Sequence, residues 1–514
     1  MAFMPVYVGH DAAGRVAAVG THLDSVAALA GRAADFDPVS LGDLLVNQYV
    51  TFPYTTRRGV TQLEPASLTE FAADAAGEAR AADVRTTVLW QPLEPAGGRW
   101  PSPKDLEDEL EAALRAAADD VARGASRLGL TLSGGLDSRL VLALLRGKAT
   151  GAITYATREN RELEVARKVA KAAGISHHVA WRGEEFYAEL MPRAVALLGT
   201  ELRGECHGFA IADNHLAEHF DLVVGGFLSD TLFKGHYLSR ATKERLRAKS
   251  AYAVARQTAA RAARAIGVLP PARRKPHYFD VARAMAAHLR PEVRDAVAQR
   301  QRVRLEQVRR VRPQSHEEWL RFWPASRADG SYGPQANARL FTADELFMHR
   351  RLIEVAAKVP AAEKLDGALT KRVFPRMYGD LGQIENSATG VPASAEAEAD
   401  ANRRRSSNGL TNGAAHGNGA GNGTPAAASP FPWNDVQHSW VDYVLLQKHS
   451  PAWSRYRTAL AASPALDVLD GVLIGGVRDF VSAYRDEAGF LFNRAAVQMT
   501  YALDRTLRSE NARP

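Results

Sequence analysis

The feature that most constrains the fold lies between residues 128 and 145. Leu128 to Leu132 reads as a buried strand, Ser133-Gly134-Gly135-Leu136-Asp137-Ser138 as a tight turn, and residues 139–145 as an apolar helix. A strand that passes through two glycines straight into a helix builds an anion site. The glycines permit positive φ and close approach of a ligand to the backbone. The free N–H groups of the turn and of the helix N-terminus then face that ligand. Ser133 and Ser138 add hydroxyl donors. Asp137 is unsuited to touching a phosphate, because two anions repel, but suits a divalent cation held against one. The bland alternative is a strand–turn–helix with no ligand, and the full six-residue pattern placed after a strand argues against it.

The flanking sequence says what surrounds this turn. Ser102-Pro103 marks a helix start, and Leu106, Leu110, Leu114, Ala117 and Val121 form one apolar stripe at helical spacing. Ala152 to Ala156 and Leu222 to Val224 read as further strands, and a helix over 161–173 stops at Gly174. Strands alternating with helices predict an α/β fold, a parallel sheet with helices on both faces. Residues 1–100 read as short strands and turns: Val6–Val8 and Val16–Val19 flank the turn Asp11–Gly14, and Thr86–Trp90 is another strand. Residues 101–392 form the alternating unit, whose later part, 240–380, reads as mainly helical. Residues 393–430 are low in complexity and are expected to be a disordered linker, since they cannot bury enough apolar surface to offset ordering. Residues 431–514 return to amphipathic helix, with Trp433, Trp440, Tyr443, Trp453 and Tyr456 read as packing groups.

Composition narrows the function classes. At 514 residues the chain is expected to hold about three domain-sized units. The net charge of +7 raises a nucleic-acid partner. The arginines are scattered through Ala/Arg-rich helices without interleaved aromatics, and the sequence disfavours that partner. One cysteine, Cys206, excludes a disulfide framework and fits a reducing cytoplasm. Met1–Pro5 shows no signal-peptide pattern, and no stretch of about 18 apolar residues predicts a membrane span.

Ser133–Ser138 resembles the pyrophosphate loop of the asparagine synthetase family, within the adenine nucleotide α-hydrolase fold. Glu162–Ala166, followed by Gly174 and His177-His178, is similar to the family's segment after its second strand. Val223, Gly225, Gly226, Ser229, Asp230, Phe233 and Tyr237 resemble its S-G-E-G-S-D-E-x-F-G-G-Y segment, and Phe341–Glu345, Gly367–Lys371 and Gly390-Val391-Pro392 resemble its late helical region. The resemblance covers roughly residues 40–395, with 1–100 as a truncated remnant of the family's glutaminase domain and 101–392 as its ATP-binding synthetase domain. It implies that Leu132, Thr157, Gly225 and Gly226 line an adenosine site. Ser133, Gly134, Gly135, Asp137 and Ser138 would hold pyrophosphate, and Asp137 and Asp230 would ligate Mg²⁺. It also implies the reaction: ATP activates a small-molecule or peptide carboxylate with release of pyrophosphate, and an amine or ammonia then attacks. Relatives that close lactam rings use an internal amine. A homodimer is left open.

The sequence departs from that family in three places. Residue 2 is Ala where the family's glutaminase has its nucleophilic cysteine, so glutamine hydrolysis is not expected. Phe227 stands at the acidic position of S-G-E and cannot act as a base. Asn386 stands at the family's late lysine; Lys371 is taken as the replacement catalytic cation, with Lys234 and Arg372 as alternatives. These losses also allow a degenerate nucleotide-binding or scaffold protein, and tRNA modification is a third reading disfavoured by the lack of a cysteine pair. Arg139 reads equally as a phosphate contact or a structural group. Cys206-His207 reads as a buried thiol beside a satisfied histidine, and His177-His178 as a strand pair with diverging side chains.

Overall fold

The computed structural model describes residues 4–73, 79–201, 206–248, 285–321, 323, 332–395, 431–434, 439–477 and 490–511. Most of the stretch read as a linker, 396–430, lies outside the described residues.

The centre is a five-stranded, wholly parallel sheet. Its strands are β6 (Leu128–Thr131), β7 (Ala149–Ala156), β8 (Ser176–Trp181), β9 (Leu222–Gly225) and β10 (Ala343–Glu345), in the order β10-β9-β6-β7-β8. The chain moves outward from β6 through β7 to β8, then returns to the other side of β6 as β9. The crevice between β6 and β9 is therefore the point where strand order reverses, the place where such sheets bind ligands. Helices cover both faces, as the alternating pattern predicts. One face packs Leu140, Val141, Val165 and Ala166 into the largest apolar cluster. The other packs Ile153 and Val223 against Ala210, Ile211 and Phe220.

Local chemistry explains the helix ends. Ser102 and Asp105 form a reciprocal cap on the helix Pro103–Val121. That helix buries Leu106, Leu110, Leu114 and Ala117 completely, each leucine contributing about 1.5–3 kcal/mol by leaving water. Asn160 caps Arg161–Ala173 through the Leu163 N–H, and Gly174 ends it at φ 74°.

Two sequence expectations are corrected. The helix after the glycine turn is Leu136–Leu144 and begins three residues earlier than read, because Gly135 itself is the extended N-cap residue. Asp137 and Ser138 thus sit in its first turn. Residues 343–345, taken as part of a helical region, form the edge strand β10, with Glu345 paired opposite Gly225. Three residues are too few to show a period.

The N-terminal part holds a small antiparallel sheet, β2-β1-β3 (Val16–Gly20, Tyr7–His10, Val60–Gln62), and a hairpin of β4 (Ser67–Ala73) with β5 (Ala79–Val88). Leu41 and Leu45 from its helix Pro38–Asn47 share a core with Leu469, Val472, Leu473 and Met499 from the C-terminal part. No described helix is long and apolar enough to cross a membrane.

Candidate active site

The glycine turn sits at the carboxyl end of β6 and holds its shape with its own hydroxyls. The Ser133 N–H donates to Ser138 Oγ at 3.0 Å, the two hydroxyls lie 2.9 Å apart, and the Gly135 N–H donates to Ser133 Oγ at 3.2 Å. A side chain at Gly134 would strike Ser387 Cβ at 2.5 Å, so glycine is needed for the turn to approach residues 386–387 closely.

Asp137 and Asp230 come together here. Asp137 leads the helix after β6, and Asp230 sits in Ser229–Phe233, the helix that follows β9. Both share one cation, the Lys234 ammonium, at 2.6 Å from each Asp137 oxygen and 2.8 Å from Asp230 Oδ1. Ser229 Oγ donates to Asp137 at 3.1 Å. Burial pushes the Asp137 carboxyl up, opposed by the adjacent ammonium. Burial works against the Lys234 charge, but the two carboxylates outweigh it and hold the ammonium above its ordinary range. Two carboxylates that already share a compact cation fit Mg²⁺, which commonly takes one or two protein carboxylates and completes its shell with phosphate and water. No group of three or more metal-ligating side chains occurs among the described residues.

Glu345 is a site group that the sequence reading passed over. It ends β10 and lies across the turn after β9, accepting the Phe227 N–H at 2.9 Å. A side chain at Gly225 would meet Glu345 Oε2 at 2.1 Å. Burial pushes the Glu345 carboxyl up to about 8, with Asp344 adding to the rise and the Phe227 N–H opposing it. The acidic group missing at Phe227 is thus matched by an acid reaching the same turn from the neighbouring strand. Between them, Leu228 takes a left-handed conformation at φ 77°, a strained state for a branched side chain. The strain falls in the turn that delivers Asp230.

The remaining expected residues divide by what they touch. Leu132 extends the sheet, its N–H donating to the Ile153 carbonyl at 2.8 Å and its carbonyl accepting Thr154 Oγ1 at 2.7 Å. Gly226 sits against the turn's helix, where a side chain would meet Val141 at 3.3 Å. Thr157 is half-buried just past β7. Lys371 is exposed on the short helix Thr370–Val373, whereas Lys234 occupies the carboxylate pair. Arg372 is engaged by Glu107 and Glu363. Arg139 is buried and donates to the carbonyls of Gly134, Leu381, Ile384 and Glu385, which settles its role as a brace of the loop. Asn386 is buried, and its side chain accepts the Ala388 N–H at 3.1 Å.

An aromatic wall stands beside Glu345. Tyr155, at the end of β7, has its ring 5.3 Å from His207, and Glu345 is among the charges acting on its hydroxyl. The Tyr187 hydroxyl pairs with His207 Nδ1 and receives Arg182. Burial, aided by Arg182, drives the imidazole down to about 3, so it is neutral. Trp440 packs edge-on against it at 4.7 Å. A strap from the C-terminal part fixes this wall. Trp433 Nε1 donates to the Glu184 carbonyl at 2.8 Å, and the Ser439 N–H donates to Glu162 at 2.8 Å.

Comparison with known proteins agrees with this geometry. The sequence profile of the family described as Asparagine synthase matches residues 109–381, which hold β6 to β10 and both aspartates. Proteins of Mycobacterium bovis and of two strains of Mycobacterium tuberculosis, described as "Putative asparagine synthetase" of the glutamine-hydrolyzing kind, are each 26% identical over 247 residues. That match covers 46% of this chain and 36% of each relative, so the chain spans about a third of the curated relatives' length. The profile covers more than half of the 514 residues, and the chain belongs to the asparagine synthase family.

Proposed function

We propose that this chain is an AMP-forming amide ligase: it activates a carboxylate with ATP and joins it to an amine or ammonia. One observation carries the reading. Asp137 and Asp230, from turns after two adjacent parallel strands, share a single cation at the mouth of a phosphate-shaped loop.

In this reading the phosphates lie along Ser133–Ser138, with the adenosine between Leu132, Thr157, Gly225 and Gly226. Mg²⁺ on Asp137 and Asp230 would neutralise charge on the leaving pyrophosphate. A substrate carboxylate oxygen attacks the α-phosphorus. The bond to the bridging oxygen breaks, and its electron pair leaves with pyrophosphate. The amine nitrogen then attacks the acyl carbon of the adenylate, and AMP departs with the former carboxylate oxygen. The attacking nitrogen sheds a proton, which Glu345 would accept in its ionised form, populated as pH rises through about 8. Lys234 supplies the cation that Asn386 cannot. The protein contributes position and charge.

The nitrogen source is taken to be free ammonia or a substrate amine. Cys206 is buried, its sulfur 3.9 Å from the Tyr332 carbonyl, and is not a glutaminase nucleophile. A secondary or polymer-building pathway in the cytoplasm fits the family's breadth.

The test is an acid-dependent ATP–pyrophosphate exchange screen over carboxylates with the purified protein. Exchange with one class of acid, lost in Asp137→Ala, is the expected result. Undiminished exchange in that variant overturns the assignment. ATP binding with no exchange under any acid supports the second reading, a nucleotide-binding protein without turnover, which the buried, uncharged Asn386 favours.

A further inference from the structure

A cavity of about 650 Å³ lies between the first turns of the helix Arg161–Ala173 and residues 383–392. Both of its walls reach the glycine turn. The Ser387 N–H donates to the Gly134 carbonyl at 3.0 Å, and a side chain at Gly134 would meet the Glu162 carbonyl at 3.1 Å. Arg139 donates to the carbonyls of both Gly134 and Glu385. The cavity therefore adjoins the turn at Gly134, on the flank where Asn386 stands.

Arg161 lines this cavity and differs from the arginines around it. Arg158 is paired with Glu184, Arg167 with Glu159, and Arg146 with Asp380. Arg161 is half-buried and makes no hydrogen bond or ion pair with any described residue. The carboxylates of Glu164 and Glu385 line the same space, yet both are taken by Lys168, at 2.9 and 2.8 Å. The Arg161 guanidinium rests instead on Gly390, where a side chain would come within 2.3 Å of Nη2. The Asn386 carbonyl accepts the Gly390 N–H at 2.8 Å. The guanidinium thus sits on the same tight turn that carries Asn386. A half-buried guanidinium without an acceptor is costly, and its fork matches phosphate oxygens.

We propose that Arg161 binds the terminal phosphate of ATP and the pyrophosphate released from it. It supplies a second cation on the flank where Asn386 carries none. Lys234 and the two aspartates hold the phosphates from one side of the turn, and Arg161 holds them from the other. The cavity then receives the leaving group, with Lys168 neutralising its carboxylates. This inference rests on the ligase reading and adds a residue to it.

The test is calorimetric titration of the full-length protein with pyrophosphate and, separately, with AMP, each with Mg²⁺ at low ionic strength. Arg161→Met keeps the side-chain stem and removes the charge. It should weaken pyrophosphate binding roughly ten- to a hundredfold and leave AMP binding unchanged. Arg161→Lys should recover part of the loss, as a point charge without the fork. Equal weakening of both ligands in Arg161→Met, or Arg161→Lys no better than Arg161→Met, would mean a structural role and overturns the proposal. Pyrophosphate bound equally by wild type and Arg161→Met also overturns it and leaves the ligase reading standing. A wild type that binds no pyrophosphate up to about 10 mM removes the ligase reading and this inference with it.

Discussion

Two lysine–carboxylate pairs in this molecule use the same chemistry for opposite ends. Lys364 and Glu318 sit 2.8 Å apart with side chains 0% and 3% exposed, against the Trp319 ring. Lys234 meets Asp137 and Asp230 at similar distances, but its side chain is 27% exposed and that of Asp230 is 66% exposed. The first pair has no access to water, and neither member can exchange its partner. In the proposed reaction the second trades its ammonium for another cation when phosphates arrive. Depth, more than distance, decides whether an ion pair is architecture or a site.

The largest expected effect falls on the open pair. Asp137→Ala should lower pyrophosphate release by about a thousandfold or more, measured under single-turnover conditions, while leaving the urea midpoint nearly unchanged. The closed pair should behave in reverse. Glu318→Gln leaves a buried ammonium without its counter-charge and should cost about 3–5 kcal/mol in urea unfolding. Replacing both members with Met and Leu should recover most of that loss, because an apolar pair of similar volume is well tolerated there. A double replacement that stays as unstable as Glu318→Gln would break the comparison.

Lys234→Met sharpens it further. Two carboxylates left without their ammonium should bind Mg²⁺ more tightly in the absence of nucleotide, seen by titration, while turnover falls roughly tenfold to a hundredfold. Unchanged Mg²⁺ affinity would mean that the lysine and the metal do not compete.

Glu345 provides the smallest and most pH-specific effect. Its folded value of about 8 lies above the ordinary 4.5. The native state therefore keeps a proton that the unfolded chain loses. That contribution to stability is complete below about pH 4.5 and is lost as pH rises through 8. Glu345→Gln should flatten this slope in stability. If Glu345 takes the amine proton, kcat/KM should rise through about pH 8 in the wild type and lose that limb in the variant.

The sequence made the glycine turn and the elements around it legible because their signals are local. The Ser133–Ser138 turn, the Ser102 cap and the Gly174 stop each act over a few residues. Asp230 was legible through its spacing after a strand. Glu345 was hidden, because its role depends on a three-residue strand pairing with β9 across more than a hundred residues of chain. Lys234 could not be ranked above Lys371 from sequence, since only the turn after β9 reveals which cation reaches both aspartates. Arg139 was ambiguous for a similar reason: its four carbonyl partners lie mostly some 240 residues away.

The strap that carries Trp433 and Ser439 has a consequence for connectivity. The wall beside Glu345 is made by residues that precede and follow positions 396–430, and among the described residues the two sides meet through non-covalent contacts. Leu41 and Leu45 grip Leu469 and Met499, and Tyr187 packs with Trp433 and Trp453. A chain severed anywhere between 396 and 430 should behave as a two-piece protein whose halves co-elute. The smaller half is then a detachable part of the active site, and activity in the severed protein becomes a matter of mass action.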